Sequence, residues 1–339
     1  MVQEVGVDNT NKKEWLRRGN SFCPMPFLHY HVDTQKHKKL CCSADDIIES
    51  DSGFNTENYK DIRNKILRNQ KINACKICYD LENKKQISPR QKNIKDTIPF
   101  DDLLQKQIAD HTENIDLKPH WYDLRISNNC NLACIMCGPN NSSTIAKNLN
   151  ISNSHLSYKP DIDINPNSFR IYLAGGEPFL IKKFVTLLDK ITNLDCEIIV
   201  NTNGTITTKP MIDSLSRFKN VSITLSLDGY NEINSSIRKN SDWNTIDKNI
   251  DLFKSLGYEI HINTVVQKDN INHLYDLGMY IESKNIKLWS LGEVSHVDEL
   301  LPTKQKINLG NIEKLMTLDI IKNNLQSVNL LKNIILETR

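Results

Sequence analysis

From about residue 118 onward, short apolar runs rich in β-branched residues alternate with stretches of helical periodicity. The runs cover 120–128, 169–174, 197–201, 221–227, 259–266 and 286–291, and each ends in a Gly, Asn or charged turn. Between them, Phe184, Leu187, Leu188 and Ile191 recur at i, i+3, i+4 and i+7, and Ile246, Ile250 and Phe253 repeat the spacing. Six β–α units in succession predict a mostly parallel sheet with right-handed crossovers, open or closed as a partial (β/α)6 TIM-like barrel. Chemistry in such sheets gathers at the carboxyl ends of the strands.

The region before it reads differently. Residues 1–117 are charged, weakly periodic and rich in cysteine, which predicts a small irregular module ahead of a barrel over 118–300. Residues 301–339 read as a C-terminal helical segment, with 312–339 a helix burying Leu315, Ile320, Ile321 and Leu325. Net charge is only +2, so nothing forces a nucleic-acid or membrane partner. The polar first 20 residues lack a secretory core, and no apolar run approaches the roughly 20 residues of a membrane helix, so a soluble, cytoplasmic protein is expected. The lysines within 36–39 and 83–95 are expected to be solvated faces.

In that compartment nine cysteines are not expected to be disulfides. Eight fall in the first 137 residues: Cys23, Cys41, Cys42, Cys75, Cys78, Cys130, Cys134 and Cys137. Grouped reduced thiols suggest metal ligation or redox chemistry. Cys196 stands alone at the start of a strand and is expected in the core.

Cys130, Cys134 and Cys137 have the spacing C-x3-C-x2-C directly after the first strand. Three thiolates on one loop can hold three irons of a cubane, whereas one zinc ion wants a fourth ligand. The motif resembles the signature of the radical S-adenosylmethionine (SAM) superfamily. That resemblance implies a [4Fe–4S] cluster whose open iron is chelated by SAM and whose electron breaks a carbon–sulfur bond to give a 5′-deoxyadenosyl radical. Met136 departs from the aromatic residue usual before the last cysteine, but can pack on a flat adenine.

Later segments match further family motifs. Gly175-Gly176-Glu177-Pro178 resembles the turn that grips the SAM amino group, and Asn203 lies in a Thr-Asn-Gly turn near the adenosine. Ser226 and Asp228 occupy the polar face of an alternating strand and resemble ribose contacts. Arg238 resembles the arginine that pairs with the SAM carboxylate. Backbone at 265–267, centred on Val266, corresponds to the adenine edge. His261 and Asn263 share a strand face that can line a substrate cavity, although a hydrogen-bonded core histidine is the blander expectation. Trp289 and Glu293 are candidates to cover adenine or substrate.

Cys23, Cys41, Cys75 and Cys78 make one C-x2-C pair plus two separated thiols, a four-ligand set. They resemble the auxiliary-cluster (SPASM or twitch) modules of radical SAM enzymes, here placed before the radical domain instead of after it. A second [4Fe–4S] cluster is expected, with zinc the competitor, and Cys41 is preferred over Cys42 as ligand. His29 and His31 lie at strand spacing beside this set.

The resulting expectation is an enzyme that abstracts hydrogen from a peptide, with a small molecule such as a sugar, nucleotide or amino acid as the alternative. An electron donor such as flavodoxin or ferredoxin is implied, and a nucleic-acid partner is not expected. The reading from another class is a non-catalytic Fe–S or zinc protein, against which stand the SAM-contact candidates Glu177, Ser226, Asp228 and Arg238.

Overall fold

The computed structural model describes residues 21–35, 37–44, 53–152, 162–294, 297–302, 307–322 and 324–338. The polar first 20 residues and Lys36 lie outside them. The chain divides into two compact units, Met1–Asp123 and Leu124–Arg339.

The first unit is mostly helical, against the irregular module expected from its weak periodicity. After one helical turn, Met25–Leu28, a short hairpin pairs β1 (His29–Val32) with β2 (Lys38–Lys39). Helices α1 (Glu57–Leu67), α2 (Lys76–Asn83), α3 (Pro89–Thr97) and α4 (Asp101–Thr112) follow, and β3 (Trp121–Leu124) leads into the second unit. Local signals set the helix starts. The Thr56 hydroxyl accepts from Tyr59 N, and Ser88-Pro89-Arg90-Gln91 forms a capping box with proline in the first turn. A core of Phe22, Phe27, Leu28, Tyr59, Ile66 and Leu104 holds the helices together. Each such side chain contributes about 1.5–3 kcal/mol on burial. Arg63, fully buried among them, donates to the Pro26 and Phe54 carbonyls at 2.7 and 2.6 Å, and burial lowers its pKa to about 10.

In the second unit, the predicted β–α alternation is present. Strands β5 (Arg170–Leu173), β6 (Glu197–Thr202), β7 (Asn220–Ser226), β9 (Glu259–Val266) and β10 (Leu288–Glu293) pair in parallel in the order β5-β6-β7-β9-β10. Between them run α6 (Lys182–Leu188), α7 (Lys209–Leu215), α8 (Glu232–Ile237), α9 (Trp243–Ser255) and α10 (Leu274–Ser283). Two short strands, β4 (Ala133–Cys134) and β8 (Arg238–Lys239), form a separate antiparallel pair, and α5 (Ser143–Asn148) follows the cysteine loop. Alternation along β6, β7 and β9 buries Ile198, Val200, Val221, Ile223, Ile260 and Ile262, while the intervening residues are half-buried or exposed. The residues of period 3.6, Phe184, Leu187, Leu188, Ile246, Ile250 and Phe253, are all buried as predicted.

The C-terminal segment is broken where a single helix was expected, into α11 (Leu309–Leu315), one turn over Asp319–Lys322, and α12 (Leu325–Thr338). Leu315, Ile320 and Ile321 are buried, and the side chain of Leu325 lies outside the described ones. Leu318 lies at one break. It is buried against α10, where a Cβ on Gly278 would meet its Cδ1 at 2.3 Å. No described helix is long and apolar enough to cross a membrane.

Candidate functional site

The cysteine triplet occupies the loop between β3 and α5. Its middle is pinned by the β4–β8 pair, which sets Cys134 opposite Arg238, and by Ile135 N donating to the Ile237 carbonyl at 3.0 Å. Its far side is pinned by the start of α5. Ser142 Oγ donates to the Leu132 carbonyl at 2.7 Å, Thr144 Oγ1 to the Cys130 carbonyl at 2.7 Å, and Cys130 N to Ser143 Oγ at 3.1 Å. Each is worth about 1 kcal/mol net. They were not foreseen in the sequence, although Ser142-Ser143-Thr144 is a readable helix start.

All three thiols are half-buried. Burial pushes Cys130 up to about 11, with the Glu177 carboxylate and the other two thiols adding to it. Burial likewise raises Cys134, against the favourable charge of Arg238, and Cys137, with the charge of Cys134 adding. The groups therefore share one electrostatic environment in which ionisation needs a cation. Soft thiolate ligands supplied as a threesome fit an iron–sulfur cubane with an open iron.

The glycine pair brings the next strand end against this loop. Gly175 and Gly176 have φ +81° and +53°, and a Cβ at Gly176 would lie 2.3 Å from the Asn129 carbonyl oxygen. Glu177 N donates to that same oxygen at 2.7 Å. The Glu177 side chain, fully buried, accepts from Phe179 N at 3.1 Å, Thr202 Oγ1 at 2.7 Å and Asn203 N at 2.9 Å. Burial lifts its pKa to about 7, and these donors oppose the rise. It braces the turn after β5 to the end of β6, and its charge reaches Cys130. Asn203 continues the chain, its Nδ2 donating to Asn131 Oδ1 at 3.1 Å and lying 3.9 Å from Cys130 Sγ.

On the other side, Arg238 is no solvated surface residue. Its Nε pairs with Asp228 Oδ2 at 2.8 Å, and its Nη1 lies 3.9 Å from Cys134 Sγ. Asp228 is fully buried, and burial raises its pKa although Arg238 opposes this. Two candidates expected to act separately, on ribose and on a carboxylate, are thus one ion pair. Its Oδ1 accepts from Val265 N at 2.8 Å. Asn270, which no sequence signal marked, donates to the Asp228 and Val265 carbonyls at 2.9 and 2.8 Å. The backbone at the end of β9 is therefore held by the same network. Val266 itself points its side chain into the core at 1% exposure. Met136 and Ser226 are half-buried.

On the open face of the sheet, β6, β7 and β9 set Asn201, Thr224 and His261 in one row, and Ser226 beside Asn263 in the next. His261 is hydrogen-bonded to Ser290 Oγ at 2.9 Å, and burial lowers its pKa, so it is neutral at pH 7. Trp289 does not reach this face. It is 1% exposed on the opposite side of β10, with Nε1 donating to Thr264 Oγ1 at 2.9 Å, because strand alternation turns it inward. Glu293 is exposed.

In the first unit, Cys23, Cys41, Cys75 and Cys78 form a second electrostatic group. Burial raises Cys23, and the charges of Cys75, Cys41 and Cys78 add to it. Burial takes Cys41 and Cys75 each to about 12, and also raises Cys78. Cys42 is exposed, its Sγ 3.9 Å from Ser43 Oγ. Among the described residues, no three His, Cys, Asp or Glu side chains converge as a single metal ion requires. His29 Nδ1 is 3.0 Å from the Leu40 carbonyl, next to Cys41, and His31 pairs with Asp123 at 3.1 Å. Cys196 is fully buried.

Comparison with known proteins matches residues 124–278 to the radical SAM superfamily. The protein MJ0907 of Methanocaldococcus jannaschii is 29% identical over 203 residues, covering 56% of this chain and 67% of that protein. A GTP 3′,8-cyclase of Staphylococcus epidermidis is 29% identical over 180 residues, covering 49% and 52%. The mycofactocin maturase MftC of Mycolicibacterium smegmatis is 27% identical over 149 residues, covering 43% and 37%. The chain thus spans two thirds of the first relative and about half or less of the other two.

Proposed function

Residues 124–278 are a radical SAM domain, and from that premise we propose that the protein reductively cleaves SAM and uses the radical to abstract hydrogen from a peptide. The observation that carries this reading is the convergence of Asn203 on Cys130 and of the Asp228–Arg238 pair on Cys134. A loop of three thiols needs neither a buried ion pair nor a capped carboxylate, whereas a zwitterionic ligand bound to a cluster uses both. When bound by Cys130, Cys134 and Cys137, a [4Fe–4S] cluster supplies the electron that splits SAM.

The chain's own residues orient and shield. Arg238 offers a cation beside Cys134, fixed by Asp228, suited to a carboxylate. Gly175 and Gly176 expose backbone at the loop, and Glu177, buried and held by Phe179 N, Thr202 Oγ1 and Asn203 N, fixes that backbone beside Cys130. Ser226 and Asn263 lie on the open face within reach of a ribose or substrate, and the backbone around Val266 completes the adenosine side. Neutral His261 with Asn201, Thr224 and Ser290 offers hydrogen bonds to substrate.

The first unit, in this reading, is an auxiliary module that holds a second [4Fe–4S] cluster through Cys23, Cys41, Cys75 and Cys78. Support comes from an all-sulfur donor set that is grouped, with Cys23 and Cys78 buried and Cys41 and Cys75 half-buried. An external one-electron donor such as flavodoxin or ferredoxin reduces the protein. Similarity to a mycofactocin maturase supports a peptide substrate, and similarity to a GTP 3′,8-cyclase favours a nucleotide as the second reading.

The test is 5′-deoxyadenosine formation by anaerobically reconstituted protein with SAM and dithionite, against a Cys134→Ala control. Formation above that control is expected. A protein fully loaded with iron and sulfide that neither forms 5′-deoxyadenosine nor binds SAM would sink the proposal. Stimulation of turnover by GTP, and not by peptides, would replace the peptide reading with the nucleotide one. Zinc in the Cys134→Ala protein would remove the second cluster.

A further inference from the structure

Arg90 is a cation almost wholly removed from solvent, at 7% exposure, in the first turn of α3. Its guanidinium is used on three sides. Nε donates to Glu82 Oε1 at 3.0 Å, Nη2 pairs with Glu82 Oε2, and Nη1 donates to the Phe22 carbonyl at 2.9 Å, one residue before Cys23. Glu82 lies on α2 one turn after Cys78, and its Oε1 also accepts from Ser88 Oγ at 2.5 Å. The Arg90 charge also favours the ionised forms of Cys75 and Cys78, against the burial that raises both. One side chain therefore joins the residue before Cys23 to the helix that carries Cys78.

A bidentate fork to one carboxylate would suffice to neutralise a buried arginine. The third arm, on the Phe22 carbonyl, does something else: it ties the segment carrying Cys23 to α3 and, through Glu82, to the helix carrying Cys78. Lysine, a point charge, cannot make all these contacts at once.

We infer that Arg90, oriented by Glu82, is a positioning residue for the four-thiol site that sets its reduction potential, holding positive charge between the segment of Cys23 and the helix of Cys78. The inference rests on the second cluster proposed above. Reduction adds one electron to a cluster already surrounded by thiolates. A fixed cation stabilises the added charge and makes reduction easier. Burial strengthens the effect, since the guanidinium is not screened by water.

The test uses full-length protein in the Cys134→Ala background, where the N-terminal site is the sole iron centre, reconstituted and titrated electrochemically. At a fixed applied potential, Arg90→Gln is expected to lower the ratio of reduced to oxidised cluster at least tenfold, equivalent to 59 mV for a one-electron couple. Arg90→Lys should recover most of that ratio, because charge and not shape is restored. Glu82→Gln should move it the other way, by removing negative charge beside Cys78. An unchanged ratio in a fully loaded Arg90→Gln protein overturns the inference, as does Arg90→Lys shifting as far as Gln. Should Arg90→Gln fail to load iron, Glu82→Gln decides alone: an unchanged or lower ratio overturns it. Zinc or no iron in the Cys134→Ala protein instead overturns the cluster reading itself.

Discussion

Replacing Gly176 by alanine separates the close approach that builds the site from the ordinary cost of a left-handed residue. At φ +53° a non-glycine residue costs about 1–2 kcal/mol. The new Cβ would also lie 2.3 Å from the Asn129 oxygen and 2.8 Å from the Asn128 and Asn129 carbonyl carbons. These are backbone atoms, so relief comes only by moving the cysteine loop away. That movement breaks the 2.7 Å hydrogen bond from Glu177 N to Asn129 O, about 1 kcal/mol more. A total near 2–3 kcal/mol leaves the domain folded but displaces Cys130 by its neighbour. Gly257 is the control, with φ +76° and nothing within 4 Å of an added Cβ. Thermal melting of the metal-free proteins should place Gly176→Ala about 5–10 °C below wild type and below Gly257→Ala. Iron uptake at Cys130, Cys134 and Cys137 should fall, and 5′-deoxyadenosine formation should drop at least tenfold, with Gly257→Ala near wild type in both. If the two alanine variants melt together and cleave SAM equally well, the close approach has no role in shaping the loop.

Asp228→Asn should destabilise the second unit by about 3–5 kcal/mol in urea unfolding, because it strands Arg238 as an unpaired buried charge; the double change Asp228→Asn, Arg238→Met should regain part of that loss. Glu177 has its folded pKa raised by burial from 4.5 to about 7. Its protonated form is favoured by folding, so its contribution to stability is complete below pH 4.5 and is lost as pH rises through 7, about 3 kcal/mol in all. Metal-free Glu177→Gln should lack that decline in a pH series of melts, and an unaltered slope would reject the assignment. Ser143→Ala with Thr144→Val frees the backbone of Cys130; iron content after dialysis should fall while helix content by circular dichroism is kept.

Much of the second unit is legible in the chain because its signals are local. Alternation at Val221, Ile223 and Leu225 selects a strand, and Phe184, Leu187 and Leu188 select a helix face, without reference to distant residues. The C-x3-C-x2-C spacing and the glycine pair are equally local. The first unit reads as irregular in sequence because its helices have polar outer faces and short apolar repeats. The capping box Ser88–Gln91 was nonetheless there to be found.

What the sequence determined by itself is the set of reactive groups and the order of the elements that carry them: thiols on one loop, a glycine turn after one strand, an acid and an arginine ten residues apart. The tertiary structure decided which of these meet. Asp228 and Arg238 become one ion pair, because the β4–β8 ladder draws Arg238 onto Cys134. Glu177 becomes a brace to β6, because parallel pairing brings Thr202 and Asn203 beside it. Trp289 goes to the core through its register on β10. Arg90 reaches Phe22 across 68 positions of chain. Pairings of this kind depend on which strands and helices become neighbours, and on how much charge must be neutralised once water is excluded. Neither quantity is written in any one stretch of residues.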